Sequence, residues 1–551
     1  MFKVLKKYLG VVVFVSVALY AFIQVAYNHI TYHAPDVTTI RVCHWQLETG
    51  FREALSELIK EYEELYYKEN GTKIRIVQQP ISEKGYLQAV NCALIGNMAP
   101  DLMEIGAGKT PTDPFFLTRF FVPLGEYVIK DNPHNKDTDL EGIAWNDTFF
   151  DGLYGCFEKK LYDYYTIPMS MFTFRIYYNK NLLEKITGTK EPPEEYQEFI
   201  SACAKIREYS GKQGETFVPV AGTKSQLNWI RRKYEAPFLL ELTRENDLNS
   251  DGLADRYETY YTYRKKKWDF NSPAFIASWK CLSELAGTFQ KGWQAASRDD
   301  ALFLFVQQKA VMYATGSWDA QSVVAQTSKD FEVGAFAFPV PKDHPEYRKF
   351  VKGPVSEAAI EGGIRFGITR DSENIDVCID FLQFCSTRKN NQRFNDKIMW
   401  MPVVRGAKVN TFMEPFKPRV EGFHMPFIGK YQIFFEWRNH VQHKIKGDGE
   451  AWSLFSGKMS AEEYSEIIQN LYNKTALDGY ELSLERQPRG FHNLNRVLGG
   501  RMARTMCRDE APPEELLSPR NQELVYAIQE FNHSYEMNKL MYNDLEEKEN
   551  F

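Results

Sequence analysis

Asp247, Asn249, Asp251, Gly252, Asp255 and Glu258 satisfy the spacing D-x-[DN]-x-[DN]-G-x5-E at every position. In such a loop, oxygen ligands at the first, third, fifth, ninth and twelfth positions wrap a calcium ion, and the glycine at the sixth allows a sharp turn. Leu253 stands where a backbone carbonyl completes the set. Carboxylates crowded this closely repel one another unless a cation neutralises them. The same residues also suit an Asp/Asn-rich turn that bonds its own backbone, and that alternative stays open. Phe238 to Arg244 reads as helix, whereas Tyr257 to Tyr263 alternates as a strand does, so an EF-hand-like loop without its paired hand is expected.

A second chemistry belongs to the tryptophans. A pyranose has an apolar face that stacks on indole, while carboxylates and amides bind its hydroxyls. Trp45, Trp229, Trp318 and Trp400 all stand beside expected loops, although core packing is the commoner fate of large aromatics. Trp318 follows an expected strand within the loop Gly316-Ser317-Trp318-Asp319, which favours a platform. Glu48, by its position alone, reads as a plain solvated carboxylate at a helix start. No G-x-S-x-G, H-E-x-x-H, P-loop or dinucleotide fingerprint occurs, so neither an enzyme nor a catalytic cofactor is expected. The acid pairs Glu63–Glu64 and Glu194–Glu195 sit on polar helix faces, which leaves a glycoside-acting enzyme as a distant alternative.

The elements that must position these residues are arranged around Thr166 to Lys180, an apolar stretch expected to be one strand buried on both sides, ending in a turn through Arg175 to Tyr178. Before it, Thr38–Trp45, Lys73–Gln78 and Asp101–Ile105 read as strands separated by helices at Phe51–Tyr66 and Lys84–Ile95, implying a parallel sheet with ligand loops at the strand ends. After it come YYNKNLL and PPEEYQEF, whose paired prolines end one helical segment and open the next. Phe217–Gly222 and Val333–Pro341 read as further strands, and Ala301–Gln321 as helix, turn, strand and loop.

With these motifs the chain resembles the family 1 extracellular solute-binding proteins, the maltose-binding-like receptors of ABC importers. The resemblance runs from about Thr38 to Leu471 and is carried by IRVCHW, APDLMEIG, YYNKNLL, the GSW element at Gly316–Trp318 and MWMPVVRGA at Met399–Ala407. It implies an α/β, two-lobed periplasmic-binding-protein fold, type II-like, with hinge crossings. It further implies a carbohydrate ligand, delivery to ABC permease subunits, and ligand contacts at Trp45, Glu48, Gly106 through Lys109, Met171, Trp229, Trp318, Gly363 and Trp400. The crossing residues Met169, Ser170, Met171 and Phe172 are expected to face the cleft, and Gly362–Gly363 to let backbone approach a ligand or flex. A sugar-sensing receptor subunit without transport is the alternative.

The 551 residues are 44% hydrophobic, ample for large cores. The net charge of −6 becomes −9 without Lys3, Lys6 and Lys7, so no nucleic-acid surface is implied. Those lysines precede an apolar run from Tyr8 to Tyr27, long enough to span a bilayer and poorly suited to cleavage, so an uncleaved N-terminal transmembrane anchor is expected, with a cleaved signal segment and a secreted protein as the alternative. The positive end stays in the cytoplasm, placing the remainder on the periplasmic or extracytoplasmic face. Eight scattered cysteines contain no CxxC pair and read as small buried hydrophobes. The expected organisation is an anchor over 1–30, lobe 1 over 38–170, lobe 2 over 171–362, returns to both lobes over 363–474 and a C-terminal helical extension over 475–551. Ser460 and Glu463 are expected to form a capping box.

Overall fold

The computed structural model describes residues 37–106, 110–112, 114–213, 217–250, 254–327, 329–358, 362–423, 449–506 and 519–549, with Val15, Leu19, Tyr20 and Ile23. The apolar run 8–27 thus lies outside the described residues except at those four positions. Among the described residues no helix is long and apolar enough to cross a membrane.

The β-branched, buried strand β1 (Thr38–His44) is followed by the amphipathic helix Phe51–Asn70, β2 (Ile74–Pro80), the helix Glu83–Ile95 and β3 (Leu102–Glu104). β1 pairs in parallel with β2 and β3. Between Thr110 and Asp163 the chain makes short helical turns, then the small ribbon β4 (Phe157–Glu158) and β5 (Asp163–Tyr164). The expected single strand is two: β6 (Ile167–Met171) and β7 (Phe174–Asn179), broken at Phe172–Thr173 where the chain passes between sheets. Arg175 is therefore in a strand rather than a turn, and it is fully buried because Glu357 meets it at 2.8 Å.

Lobe 2 continues with β8 (Val218–Ala221), β9 (Ala310–Gly316) and β10 (Val333–Phe336), in the order β10-β7-β9-β8. β11 (Gly362–Ile368) returns to lobe 1, giving β2-β1-β3-β11-β6, and runs antiparallel to β3 and β6. The helices Ile375–Cys385 and Arg388–Ile398 then cover lobe 1, placing Cys378, Phe381, Leu382 and Cys385 in its core.

Tyr257 to Tyr263, expected as a strand, lies instead in the helix Arg256–Arg264. Asp255 and Glu258 form a capping box that starts this helix, while Tyr257 and Tyr260 pack edge-on or tilted against Tyr480. Cap and tertiary packing outweigh the β preference of Tyr and Thr. Ser460 and Glu463 form the expected capping box, with Ser460 N donating to Glu463 at 2.8 Å and Glu463 N to Ser460 Oγ at 3.1 Å. It starts the long helix Ala461–Met506, which pairs with the helix Pro519–Glu549 as a C-terminal hairpin. The hairpin packs on lobe 2, where Tyr472, Tyr480, Met541 and Leu545 enter the core. It also reaches lobe 1: its first helix contacts the helix Pro114–Phe120, and Tyr162 Oη donates to Glu530 at 2.9 Å.

Candidate functional site

Where β6 hands over to β7, Phe172 is left half-buried between the lobes. Its ring lies over Gly363, where an added Cβ would be 2.5 Å from the ring, so this glycine makes room for Phe172. At the end of β9, the turn Ser317–Asp319 folds Trp318 back across Gly316, whose added Cβ would be 2.1 Å from the indole. Trp229 is presented by the helix Lys224–Asn246, started by Thr223, whose side chain accepts from Gln226 N. The three half-buried rings form one wall: Trp318 meets Phe172 at 5.4 Å and Trp229 at 4.9 Å, both edge-on. Phe174 lies behind them, 5.3 Å from Trp229 and stacked on Phe338 at 5.6 Å. Trp318 touches both hydrophobic cores, and its buried Nε1–H has no acceptor among the described residues.

Beyond this wall the expected contacts divide. Trp400 is in the core, edge-on to Phe172 at 4.8 Å, and donates from Nε1 to the Trp318 carbonyl at 3.2 Å. It is a buttress, not an open platform. Trp45 is likewise buried, edge-on to Tyr86 at 4.9 Å. Met171 is buried in β6 with its N–H bonded to Met401 O at 3.0 Å. Ser170 and Met169 are buried rather than open to a ligand: Ser170 Oγ donates to Asn395 Oδ1 at 2.6 Å, and the Met169 side chain is in the core while its carbonyl accepts from Asn391 and Asn395. Gly106 has φ +103°, and an added Cβ would be 2.6 Å from Arg365, so it admits a guanidinium rather than a ligand. Lys109 lies outside the described residues.

Glu48 does reach between the lobes. Arg298, at the start of the helix Arg298–Val306, stands 3.7 Å from Glu48 of lobe 1 and 3.2 Å from Asp319 of lobe 2. Asp319 is buried and accepts from Tyr313 Oη at 3.0 Å and Thr315 Oγ1 at 2.7 Å. Burial raises the pKa of both carboxyls, and Arg298 works against that rise in each. Beneath the Glu48 loop, Glu104 is fully buried, bonded to the Gln46 amide and to Trp45 N. Burial holds its pKa well above the ordinary carboxylate value. Neither Arg298 nor Glu104 carries a sequence signal, since each is defined by partners 250 and 59 positions away or by burial alone. Asp319 could have been inferred from its place beside Trp318.

In the acidic loop, Asp255 accepts from Tyr257 N and Glu258 N, and Glu258 accepts from Leu248 N, Asn249 N and Asp255 N. Glu258 is pushed up to about 7, first by burial and then by Asp255. Asp251 and Leu253 lie outside the described residues, and among the described residues no group of three or more His, Cys, Asp or Glu gathers as a metal site.

Residues 47–392 match the family model described as bacterial extracellular solute-binding protein. The chain is 26% identical over 317 residues to the multiple sugar-binding protein of Streptococcus mutans serotype c, covering 54% of this chain and 67% of that one. Among solved structures, the binding protein MsmE of Bacillus subtilis subsp. subtilis str. 168 in an open conformation is similar, with TM-score 0.52, 15% identity, 81% of this chain and 99% of that one. The solute-binding protein RafE in complex with raffinose gives TM-score 0.51 at 16% identity, covering 79% and 99%. At these identities the structural likeness concerns the fold, and it agrees with the two sheets seen here. With the family model spanning most of both lobes, the chain belongs to the bacterial extracellular solute-binding protein family.

Proposed function

We propose that this protein captures a carbohydrate between its lobes and delivers it to an ABC permease from the extracytoplasmic face, tethered by the apolar run 8–27. The observation that carries the reading is the aromatic wall of Phe172, Trp229 and Trp318, half-exposed at the junction of the two sheets and flanked by Glu48, Arg298 and Asp319. Aromatic faces for stacking next to charged groups for hydroxyls are what a saccharide requires. The sugar-binding name of the Streptococcus mutans relative points the same way. Calorimetric titration of the purified protein against a panel of oligosaccharides tests this, with native mass spectrometry to detect a retained ligand. Saturable binding of a saccharide supports it, and binding of only non-sugar solutes overturns it.

The acidic loop is proposed to hold a structural calcium ion. Two helices, Lys224–Asn246 and Arg256–Arg264, flank it as in a helix-loop-helix site, and a cation would relieve the repulsion between Asp255 and Glu258.

A further inference from the structure

Two loops that leave different sheets meet at one guanidinium. The Glu48 loop follows β1 in lobe 1, and the turn Ser317–Asp319 follows β9 in lobe 2. Each presents a carboxylate with one oxygen held by its own lobe. Glu48 Oε2 accepts from Leu47 N at 3.0 Å, and Asp319 Oδ2 accepts from Thr315 Oγ1 at 2.7 Å and from Tyr313 Oη at 3.0 Å. The other oxygen of each faces the same nitrogen: Arg298 Nη2 stands 3.7 Å from Glu48 Oε1 and 3.2 Å from Asp319 Oδ1.

Arg298 belongs to lobe 2, because its helix, Arg298–Val306, packs on β8 and β9. As the first residue of that helix it opposes the helix dipole, and the two carboxylates offset this. Burial works against its charge, yet Asp319 and then Glu48 outweigh burial and raise its pKa. The contact between the lobes continues beside it. Gly50, two residues past Glu48, has φ +86° and lies against Gln321 of the helix Ala320–Thr327, where an added Cβ would be 3.1 Å from Oε1. Asp319 is buried, whereas the Arg298 and Glu48 side chains are 39% and 25% exposed. A charge pair that open changes an equilibrium by roughly two- to five-fold, and salt screens it. It therefore tips the balance between lobe arrangements without locking it.

We propose that Arg298 is an interlobe latch: seated on Asp319, it takes hold of Glu48 when the lobes come together and releases it when they part. The latch acts whatever solute is captured. The test measures the separation of spin labels at Lys60→Cys in lobe 1 and Lys205→Cys in lobe 2, both exposed positions, in the full chain carrying Cys92→Ser and Cys507→Ser. Glu48→Gln and Arg298→Gln should each raise the ratio of parted to latched molecules about two- to five-fold, and the double variant should raise it no further. High salt should do the same to the parent and have little effect on the variants. Glu48→Gln leaves the Arg298–Asp319 pair intact within lobe 2, so it carries the test if Arg298→Gln does not fold. Coincident separations in the parent and Glu48→Gln overturn the latch, as does an equal response of the two to salt. Titrating the labelled parent with oligosaccharides reads the carbohydrate proposal separately, and failure to bind any of them would refute that reading while leaving the latch standing.

Discussion

Trp318 and Trp400 differ in kind, although both stand beside loops. Trp318 is half-open and Trp400 is closed behind it, so truncating them should separate affinity from stability. Trp318→Ala should weaken saccharide binding by about 1–3 kcal/mol, the scale of an apolar side chain's burial, and lower the melting temperature modestly. Trp400→Ala should cost about 3–5 kcal/mol of folding stability. Calorimetric titration beside melting curves checks both. That Trp318 stands in a turn at the end of a strand was legible from the Gly316-Ser317-Trp318-Asp319 motif. Trp45 and Trp400 were not, because an indole next to a loop packs inward as readily as outward, and the deciding partners, Tyr86 and Phe172, are remote in sequence. Glu258 makes a pH prediction at the same scale. Its folded-state pKa of about 7 exceeds the ordinary 4.5, so its contribution is complete below about 4.5 and is lost as pH rises towards 7. In chelator, melting temperature should therefore fall across that window, and Glu258→Gln should flatten the fall.

At the scale of the element, the acidic loop and its flanking helices stand or fall together. Saturating calcium should raise the melting temperature and remove the pH trend just described, because a cation bound to the folded form stabilises it by mass action. Identical melting curves in calcium and in chelator would leave a plain turn. The helix Arg256–Arg264 also marks where local pattern misleads. Tyr and Thr alternate through it, but the Asp255 cap and the tyrosine faces of the C-terminal hairpin decide its conformation, and that hairpin begins some two hundred residues later. The first crossing was legible as an apolar stretch, yet its break at Phe172–Thr173 was not, since only the existence of two separate sheets requires it. Gly363→Ala checks the role of that break. The added methyl should displace Phe172 and weaken saccharide binding several-fold with little change in melting temperature, as read by titration and melting.

For the molecule as a whole, the two-lobed plan followed from alternating strands and helices together with the family's turn motifs. The attachment of the C-terminal hairpin did not, because its polar faces conceal which residues meet which lobe. Ending the chain after Met506 removes Met541 and Leu545 from the core of lobe 2 and should cost on the order of 2–5 kcal/mol, read as a lowered denaturation midpoint. The hairpin's double footing has a thermodynamic consequence. Any free energy by which its contacts with Tyr162 and the helix Pro114–Phe120 differ between two lobe arrangements is added to the binding free energy of every ligand. Each 1.4 kcal/mol so added multiplies all dissociation constants by ten without reordering them. Through these contacts affinity in this protein is therefore adjustable without any change at the aromatic wall, and selectivity is not.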